Sequence, residues 1–247
     1  MVLLVALGSA AVGVAGGMTI AKKQSQTQLN NPKLVYFDAK GVVEHVRYLF
    51  HMSGTPYVDH RYPFSFGVPG DFSTIKRPEF DAAKAAGELD VSMGKVPLLE
   101  VDGVKVGQSK AIERFVAKQV GYMGSNAMEE FQIDAMCEHI RDLKDAYQKL
   151  RAIKDDTEKK EAMEKWFSQE LPEHAGKLEK AVPSFLTTCG VTLADITVYY
   201  FFTFFFDRVE DAQKAKAGCP KLNTMCAKVK NDAKAKEWEE KRPKTMF

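Results

Sequence analysis

The chain has 247 residues, 45% of them hydrophobic, which suits one large globular domain or two small ones. Its 35 basic residues nearly balance its 33 acidic residues, which argues against a nucleic-acid-binding protein, since such proteins normally carry a basic excess. The four cysteines lie in the second half and form no C-x-x-C pair, so we expect no disulfide framework and a reducing compartment.

The N-terminal segment is apolar. Residues 1–21 contain no charged side chain and are followed by Lys22 and Lys23. Their length fits a weak transmembrane helix, and the lysines that follow favour the cytoplasmic face for the globular part. A cleaved signal or transit segment and a soluble tail are the alternatives. We therefore expect residues 1–30 to form an anchor or targeting segment with a linker, and membrane association through residues 1–21 is the favoured interpretation.

A strand and a helix open the folded part of the sequence. The run Lys33–Phe37 has β-type composition, and apolar residues then recur at helical spacing from Val42 to Phe50. Gly54-Thr-Pro56 ends this helix, and a second short strand begins at Tyr57. We expect the stretch 62–78, which is rich in aromatic residues and proline, to be an irregular insertion.

A helix and a hairpin follow the insertion. Pro78 opens the helix and Gly87 ends it, since proline favours the first helical position and glycine the position after the last. The strands 96–101 and 104–106 are joined by Asp102-Gly103, which is a strong hairpin signal.

The last helix of this half begins at Ser109, whose side chain we expect to cap it. The order of elements is then β-α-β-α-β-β-α, and the third strand begins directly after Val96-Pro97, where a proline is tolerated. This combination predicts a thioredoxin-like domain over residues 31–120, in which the proline is normally cis. No cysteine precedes Cys137, so dithiol exchange, which needs a cysteine near the first helix, is excluded.

Residues 127–247 predict an all-helical second domain, joined to the first by a linker near 121–126. Thr192 and Asp195 have capping-box spacing at a helix start. The helix that follows is so continuously apolar that we expect it to be buried all round, and core packing is favoured over a role in lining a ligand pocket. Helical periodicity covers residues 127–153, 157–182, 196–206 and 221–240.

Several motifs together resemble the sigma class of the glutathione S-transferase family. The most specific is the block GKVPLLEVDG followed closely by Gln-Ser, and the resemblance covers residues 33–247 apart from the insertion. It implies an α/β plus all-α architecture, a thioredoxin-like domain followed by an all-helical domain, with glutathione as co-substrate. The residues that carry the resemblance are Tyr36–Gly41, Glu44, Arg47–Phe50, Gly94–Gly103, Gln108, Ser109, Thr192, Asp195, Arg242 and Thr245.

The resemblance implies that Tyr36 activates the glutathione thiol. The thiolate is the nucleophile, and lowering a thiol pKa of about 8.5 by two units requires about 2.7 kcal/mol of preferential thiolate binding. One or two charge-assisted hydrogen bonds of about 1.5–3 kcal/mol each would suffice. A phenol has a pKa near 10, stays protonated and can donate such a bond. Tyr36 is therefore the predicted catalytic residue, and packing of a strand aromatic in the core is the alternative.

The resemblance also implies residues that bind the rest of glutathione. The helix that begins at Gln108 and Ser109 presents backbone N–H groups to the γ-glutamyl end. The backbone at Val96-Pro97 would pair with the cysteinyl part as an added strand. The predicted contacts are Lys40, Phe80, Lys84, Lys95, Val96, Pro97, Gln108, Ser109 and Asp142.

Some of these residues depart from the pattern of the family. Phe80 stands where tryptophan is usual, so the alternative to a ligand contact is packing in the core. For Lys40, Lys84 and Lys95 the alternative to a ligand contact is a solvated side chain. Asp142 would reach the glutathione of a neighbouring subunit, so the resemblance implies a homodimer.

The leading expectation is a glutathione transferase that conjugates the glutathione thiolate to small hydrophobic electrophiles. A glutathione-dependent isomerase or peroxidase that acts on prostaglandin-like or lipid peroxide substrates would share the same site and is the alternative. A non-catalytic, crystallin-like binding or structural protein is a further alternative, which Phe80, Val42 and Arg141 keep open because they depart from the family pattern. The histidines show no metal-ligand spacing, so we expect no metal.

Overall fold

The computed structural model describes residues 29–68 and 71–245. The expected anchor in residues 1–21 lies outside these ranges and stays a prediction. None of the helices within the described ranges combines the length and hydropathy that a bilayer crossing requires.

A four-stranded mixed sheet forms the centre of the first half, and a separate two-stranded hairpin accompanies it. The strands of the described chain are β1 (Lys33–Phe37), β2 (Val58–Tyr62), β3 (Ser65–Phe66), β4 (Ile75–Lys76), β5 (Leu98–Val101) and β6 (Val104–Gly107). Strands β3 and β4 form the separate hairpin. The sheet order is β2-β1-β5-β6, in which β1 runs parallel to β2 and antiparallel to β5. The hairpin of β5 and β6 turns at Asp102 and Gly103, both at positive φ. The predicted thioredoxin-like order is confirmed.

Three helices accompany this sheet: α1 (Glu44–Ser53), α2 (Pro78–Ala85) and α3 (Ser109–Gln119). Leu34 of β1 and Val46, Leu49 and Phe50 of α1 are fully buried, so the apolar spacing of the first helix does mark its core face. A short 3₁₀ turn, Gly41–Val43, leads into α1. The Val96-Pro97 peptide bond is cis, as expected.

The second half of the described chain is helical. Its elements are α4 (Ala127–Arg151), α5 (Asp156–Lys165), α6 (Leu171–Ala181), α7 (Phe185–Thr188), α8 (Leu193–Tyr200), α9 (Val209–Ala215), α10 (Pro220–Asn231) and α11 (Ala233–Lys241). Every residue of α8 is buried, and the capping box predicted at its start is present. The expected all-helical architecture is confirmed, whereas the domain limits at 120 and 127 stay a prediction.

Two expectations for the first half are wrong. The stretch 62–78 contains a small hairpin, in which Ser65 pairs with Lys76 and Phe66 with Ile75. Strands of two residues are too short to produce a readable alternation, so the sequence pattern misses them. Ser109 is the first helical residue of α3 and does not cap it; Gln108 occupies the cap position, with no capping hydrogen bond from its side chain.

Two expectations for the second half are also wrong. A π-helical turn, Phe201–Phe205, follows α8 and leaves its last three residues half-exposed, so the apolar run is not buried all round. The predicted final helix is two helices, because the chain is extended at Asp232. The Asp232 carboxylate then caps α11 by accepting the Ala235 N–H at 2.9 Å.

We expect Asp195→Ala to destabilise the fold. Its buried carboxylate accepts the Thr192 N–H and hydroxyl at 2.7 Å each and pairs with Lys228 Nζ at 2.7 Å. Removing it leaves the Thr192 N–H and hydroxyl without this acceptor and Lys228 without its counter-charge, which costs about 3–5 kcal/mol for a buried pair. Chemical denaturation measures this loss. Asp156→Ala, on the exposed first turn of α5, is the control and should change the free energy of unfolding by less than about 0.5 kcal/mol.

Candidate active site

Tyr36 lies at the end of β1, half-buried, beside the loop that leads into α1. The backbone N–H of Val42 donates a hydrogen bond to the phenol oxygen, while burial raises the pKa of Tyr36 above its usual value near 10. Among the described residues, no acceptor takes the phenol hydrogen. The hydroxyl is therefore protonated and available to donate to a ligand.

Gly41 allows the loop to approach the Tyr36 ring closely. It has a φ of +47°, and a Cβ added there would lie 2.6 Å from the Tyr36 hydroxyl oxygen. Any side chain at this position would displace the phenol or the loop. Glycine is thus required for two reasons: the backbone is left-handed here, and the Tyr36 phenol leaves no room for a Cβ.

Arg47 fixes the same loop through hydrogen bonds. Its side chain is fully buried, and Nη1 donates to the Ala39 carbonyl at 2.5 Å and to Glu44 Oε2 at 3.3 Å. Its Nε also pairs with Asp59 on β2 at 3.2 Å. A buried guanidinium with these partners fixes the course of the chain between β1 and α1.

Glu44 connects this loop to the C-terminal helix. Its buried carboxylate accepts Trp238 Nε1 and Arg242 Nη1, both at 2.9 Å. The Glu239 carboxylate in turn accepts the hydroxyl of Tyr48 on α1 at 2.7 Å. The end of α11 is thereby fastened against α1.

The loop before β5 carries three predicted contacts. Pro97 is buried, Val96 is half-buried and Lys95 is exposed. Ser92 positions the loop, because its hydroxyl donates to the Lys95 carbonyl and its own carbonyl accepts the Lys95 N–H at 3.2 Å. Since Leu98 of β5 pairs with Val35 of β1, the cis-proline loop lies next to the strand end that carries Tyr36.

Gln108 and Ser109 lie at the start of α3, directly after β6. Gln108 is exposed and has a φ of +77°, which is rare for a residue with a side chain. Such strained residues cluster at functional sites, where surrounding structure maintains them. The observed backbone is consistent with a ligand contact at this helix N-terminus.

The two predicted residues of α2 have different environments. The Lys84 side chain runs across Gly94, where an added Cβ would lie 2.9 Å from its Cε, and so reaches the cis-proline loop. Phe80 is buried, with its ring centroid 4.9 Å from that of Phe37. The Arg77 guanidinium lies over the Phe80 ring, with its Cζ 4.6 Å from the ring centroid. These contacts place Phe80 in the core, where it anchors the helix that carries Lys84.

Lys40 and Asp142 complete the predicted set. Lys40 is half-buried and immediately precedes Gly41. Asp142 is exposed on α4 and lines a cavity of about 290 Å³ between α4 and α6, together with His139 and His174. Neither residue makes a side-chain hydrogen bond or ion pair within the part of the chain that the structure describes.

Comparisons with known proteins establish the family of this chain. Residues 141–242 match the family model described as glutathione S-transferase, C-terminal domain. Glutathione S-transferase 3 of Caenorhabditis elegans is 30% identical over 225 residues, which cover 87% of this chain and 98% of the relative. The chain belongs to the glutathione S-transferase family.

Two further proteins to which this glutathione S-transferase is similar are named as prostaglandin synthases. Hematopoietic prostaglandin D synthase of Gallus gallus is 33% identical over 156 residues, covering 63% of this chain and 67% of the relative. A solved structure of prostaglandin synthase D from Nilaparvata lugens has a TM-score of 0.68 at 26% identity, covering 87% of this chain and all of that one. The predicted family, fold and enzyme class are confirmed.

Sequence reasoning gave no role to the residues that position the Tyr36 loop. Gly41, Glu44, Arg47 and Arg242 belong to the family-like motifs, but only the structure shows what they contact. A signal was present, since two charged residues occur in the otherwise apolar start of α1. Buried charges are rare unless they are paired, so they indicated a network.

We expect Gly41→Ala to lower kcat/KM for glutathione conjugation by at least about tenfold, because loss of one well-placed hydrogen bond costs about 1.5 kcal/mol. Steady-state kinetics measures this effect. Gly103→Ala is a matched control, since Gly103 also has positive φ, +79°, but nothing within 4 Å of an added Cβ. Equal losses of activity in the two variants would contradict a specific contact between Gly41 and Tyr36.

Proposed function

We propose that this transferase conjugates the glutathione thiolate to small hydrophobic electrophiles, with Tyr36 as its catalytic residue. The observation that carries the proposal is the Tyr36 hydroxyl, whose oxygen already accepts the Val42 N–H and whose hydrogen is unused among the described residues. Its raised pKa keeps the hydrogen in place at neutral pH. A thiolate next to it would therefore receive a charge-assisted hydrogen bond, which lowers the pKa of the thiol.

The surrounding residues support a binding mode for glutathione. The open backbone at Val96-Pro97 suits the cysteinyl part, which places the thiol near Tyr36 on the adjacent strand. The α-carboxylate of the γ-glutamyl end suits the start of α3 at Ser109. Lys84 and Lys95 supply positive charge for the glycine carboxylate. In this mode each anionic group of the tripeptide meets a donor or a cation.

A glutathione-dependent isomerase or peroxidase is the second candidate. The relatives named as prostaglandin synthases favour it, as do the half-exposed Phe204 and Phe205 in the turn that follows α8. Isomerisation and conjugation would use the same thiolate and differ only in the second substrate. A protein that binds glutathione but does not conjugate a chloronitrobenzene would be assayed next with endoperoxides and lipid hydroperoxides.

We expect Tyr36→Phe to retain glutathione binding but to lower kcat for conjugation of a chloronitrobenzene by about 10- to 150-fold, the equivalent of about 1.5–3 kcal/mol. The ultraviolet absorbance of the bound thiolate, followed against pH, should show a higher thiol pKa in the variant.

Tyr57→Phe is the control, because Tyr57 stacks on Phe50 at 4.5 Å and its hydroxyl makes no hydrogen bond within the described ranges. Unchanged turnover in Tyr36→Phe would contradict the assigned role. Absence of glutathione binding in the wild type would favour the non-catalytic alternative.

We also propose that the protein is a homodimer and that Asp142 contacts the glutathione of the neighbouring subunit. Exposed apolar side chains support an interface around α3 and α4, which are joined by an ion pair of Arg114 with Asp134 at 2.7 Å. Phe131 is 68% exposed, an unusual state for a large apolar residue. The exposed apolar residues of these two helices are Phe115, Met128 and Phe131.

We expect Phe131→Asp to weaken the dimer by at least about tenfold in Kd, because burial of a phenylalanine contributes about 1.5–3 kcal/mol. Sedimentation equilibrium measures the change. Gln148→Asp, an exposed position on the same helix, is the control. A wild-type monomer at all concentrations would contradict the proposed interface and the role of Asp142.

A further inference from the structure

Lys144 on α4 directs its ammonium group at aromatic rings rather than at a carboxylate. Its Nζ lies 5.6 Å from the ring centroid of Tyr200 and 5.4 Å from that of Phe205. It makes no hydrogen bond or ion pair within residues 29–68 and 71–245. Cation–π contacts offset only part of the cost of withdrawing an ammonium from water. This position therefore suits an anionic ligand.

The charges nearby do not neutralise Lys144. The acid that acts on Lys144 electrostatically, Glu113 on α3, is buried and accepts Lys110 Nζ at 2.8 Å and His45 Nδ1 at 3.1 Å. Burial lowers the pKa of His45 to about 4, so its ring is neutral at physiological pH. The Glu113 charge is therefore compensated by Lys110, and one positive charge remains at Lys144.

Tyr200 carries a second unused donor beside Lys144. It is buried, its ring packs edge-on against His45 with the centroids 5.1 Å apart, and its hydroxyl has no hydrogen-bond partner in the described part of the chain. Burial raises the pKa of Tyr200, and the Tyr36 phenol is close enough to contribute. The hydroxyl is thus a protonated donor without a partner among the described residues, and it belongs to a ring that Lys144 contacts.

We propose that Lys144 and Tyr200 recognise a carboxylate on the second substrate, so that the enzyme selects hydrophobic electrophiles that carry an acid group. This inference rests on the proposed function. An ammonium and a hydroxyl are both donors and complement the two oxygens of a carboxylate, while the rings of Tyr200 and Phe205 offer an apolar wall to the hydrocarbon part. For the α,β-unsaturated ketone used below, attack by the thiolate forms the C–S bond as the C=C π bond breaks. Its electron pair passes to the carbonyl oxygen, and the enolate then takes a proton from solvent. The carboxylate takes no part in that step.

The preference for an acid should depend on pH. Burial, followed by the charge of Lys110, lowers the pKa of Lys144 to about 8. Above that pH the ammonium loses its proton and the electrostatic attraction for a carboxylate disappears, whereas a neutral ester is unaffected. The groups that face Lys144 are Lys110 and Glu113 on α3, His45 on α1, Cys137 and Arg141 on α4, Tyr200 on α8, and Phe205.

The test uses the full chain and an α,β-unsaturated ketone that carries a carboxylate, compared with its methyl ester. The measured quantity is the ratio of kcat/KM for the acid to kcat/KM for the ester. Both substrates share the glutathione thiolate, so its own pH dependence cancels in the ratio. In the wild type the ratio should exceed one near neutral pH and fall as the pH rises through about 8.

Lys144→Met should lower this ratio about tenfold, since a hydrogen bond to a charged group contributes about 1.5–3 kcal/mol. Lys144→Arg should retain most of the preference, and Tyr200→Phe should reduce it. Lys149→Met, at an exposed position on the same helix, is the matched control and should keep the wild-type ratio. Calorimetric binding of the saturated acid and its ester makes the same comparison without catalysis.

A ratio that is the same in Lys144→Met and in the wild type, both in kinetics and in calorimetry, would overturn the inference. That outcome leaves the proposed function intact if the wild type still conjugates the ester and a chloronitrobenzene. If the wild type conjugates none of these substrates, the proposed function is overturned instead. Calorimetry of the saturated acid and its ester would then still decide whether Lys144 recognises the acid.

Discussion

The geometry of the candidate active site depends on the buried guanidinium of Arg47. Its bond to the Ala39 carbonyl fixes the loop after β1, and only in that course do Gly41 and Val42 meet the Tyr36 phenol. Burying a charge carries a large unfavourable desolvation free energy, and the hydrogen-bond partners of Arg47 offset it. Positioning the phenol therefore depends on a charge buried beneath the strand end.

The same network makes the C-terminal helix part of the site. Glu44, which shares a hydrogen bond with Arg47, also accepts donors from Trp238 and Arg242. Arg242 further stacks on Phe204 at 4.4 Å, at the aromatic turn that follows α8. Loss of the last turn of α11 would therefore leave Glu44 buried with fewer partners, and the disturbance would reach the Tyr36 loop through Arg47.

The sequence predicted most of the fold because its signals are local. Three motifs each predict their local structure from a few neighbouring residues: the DG hairpin, the proline at a strand start, and the capping box of Thr192 and Asp195. The two-residue strands of the insertion and the break at Asp232 carry no comparable signal. In the site, motif resemblance indicated Tyr36 and its neighbours, but the contacts of Arg47 and Glu44 cross long sequence distances, which no local pattern encodes.

The characters of Val42 and Lys144 bear on how a second substrate would be oriented. Val42, on the loop between β1 and α1, is 46% exposed and adds apolar surface there. Lys144 supplies a cation from α4, with its ammonium against Tyr200 and Phe205. A substrate with an anionic end would therefore be oriented with that end toward the helical half and its electrophilic centre toward Tyr36. The two residues would together orient the second substrate without altering the activation of glutathione.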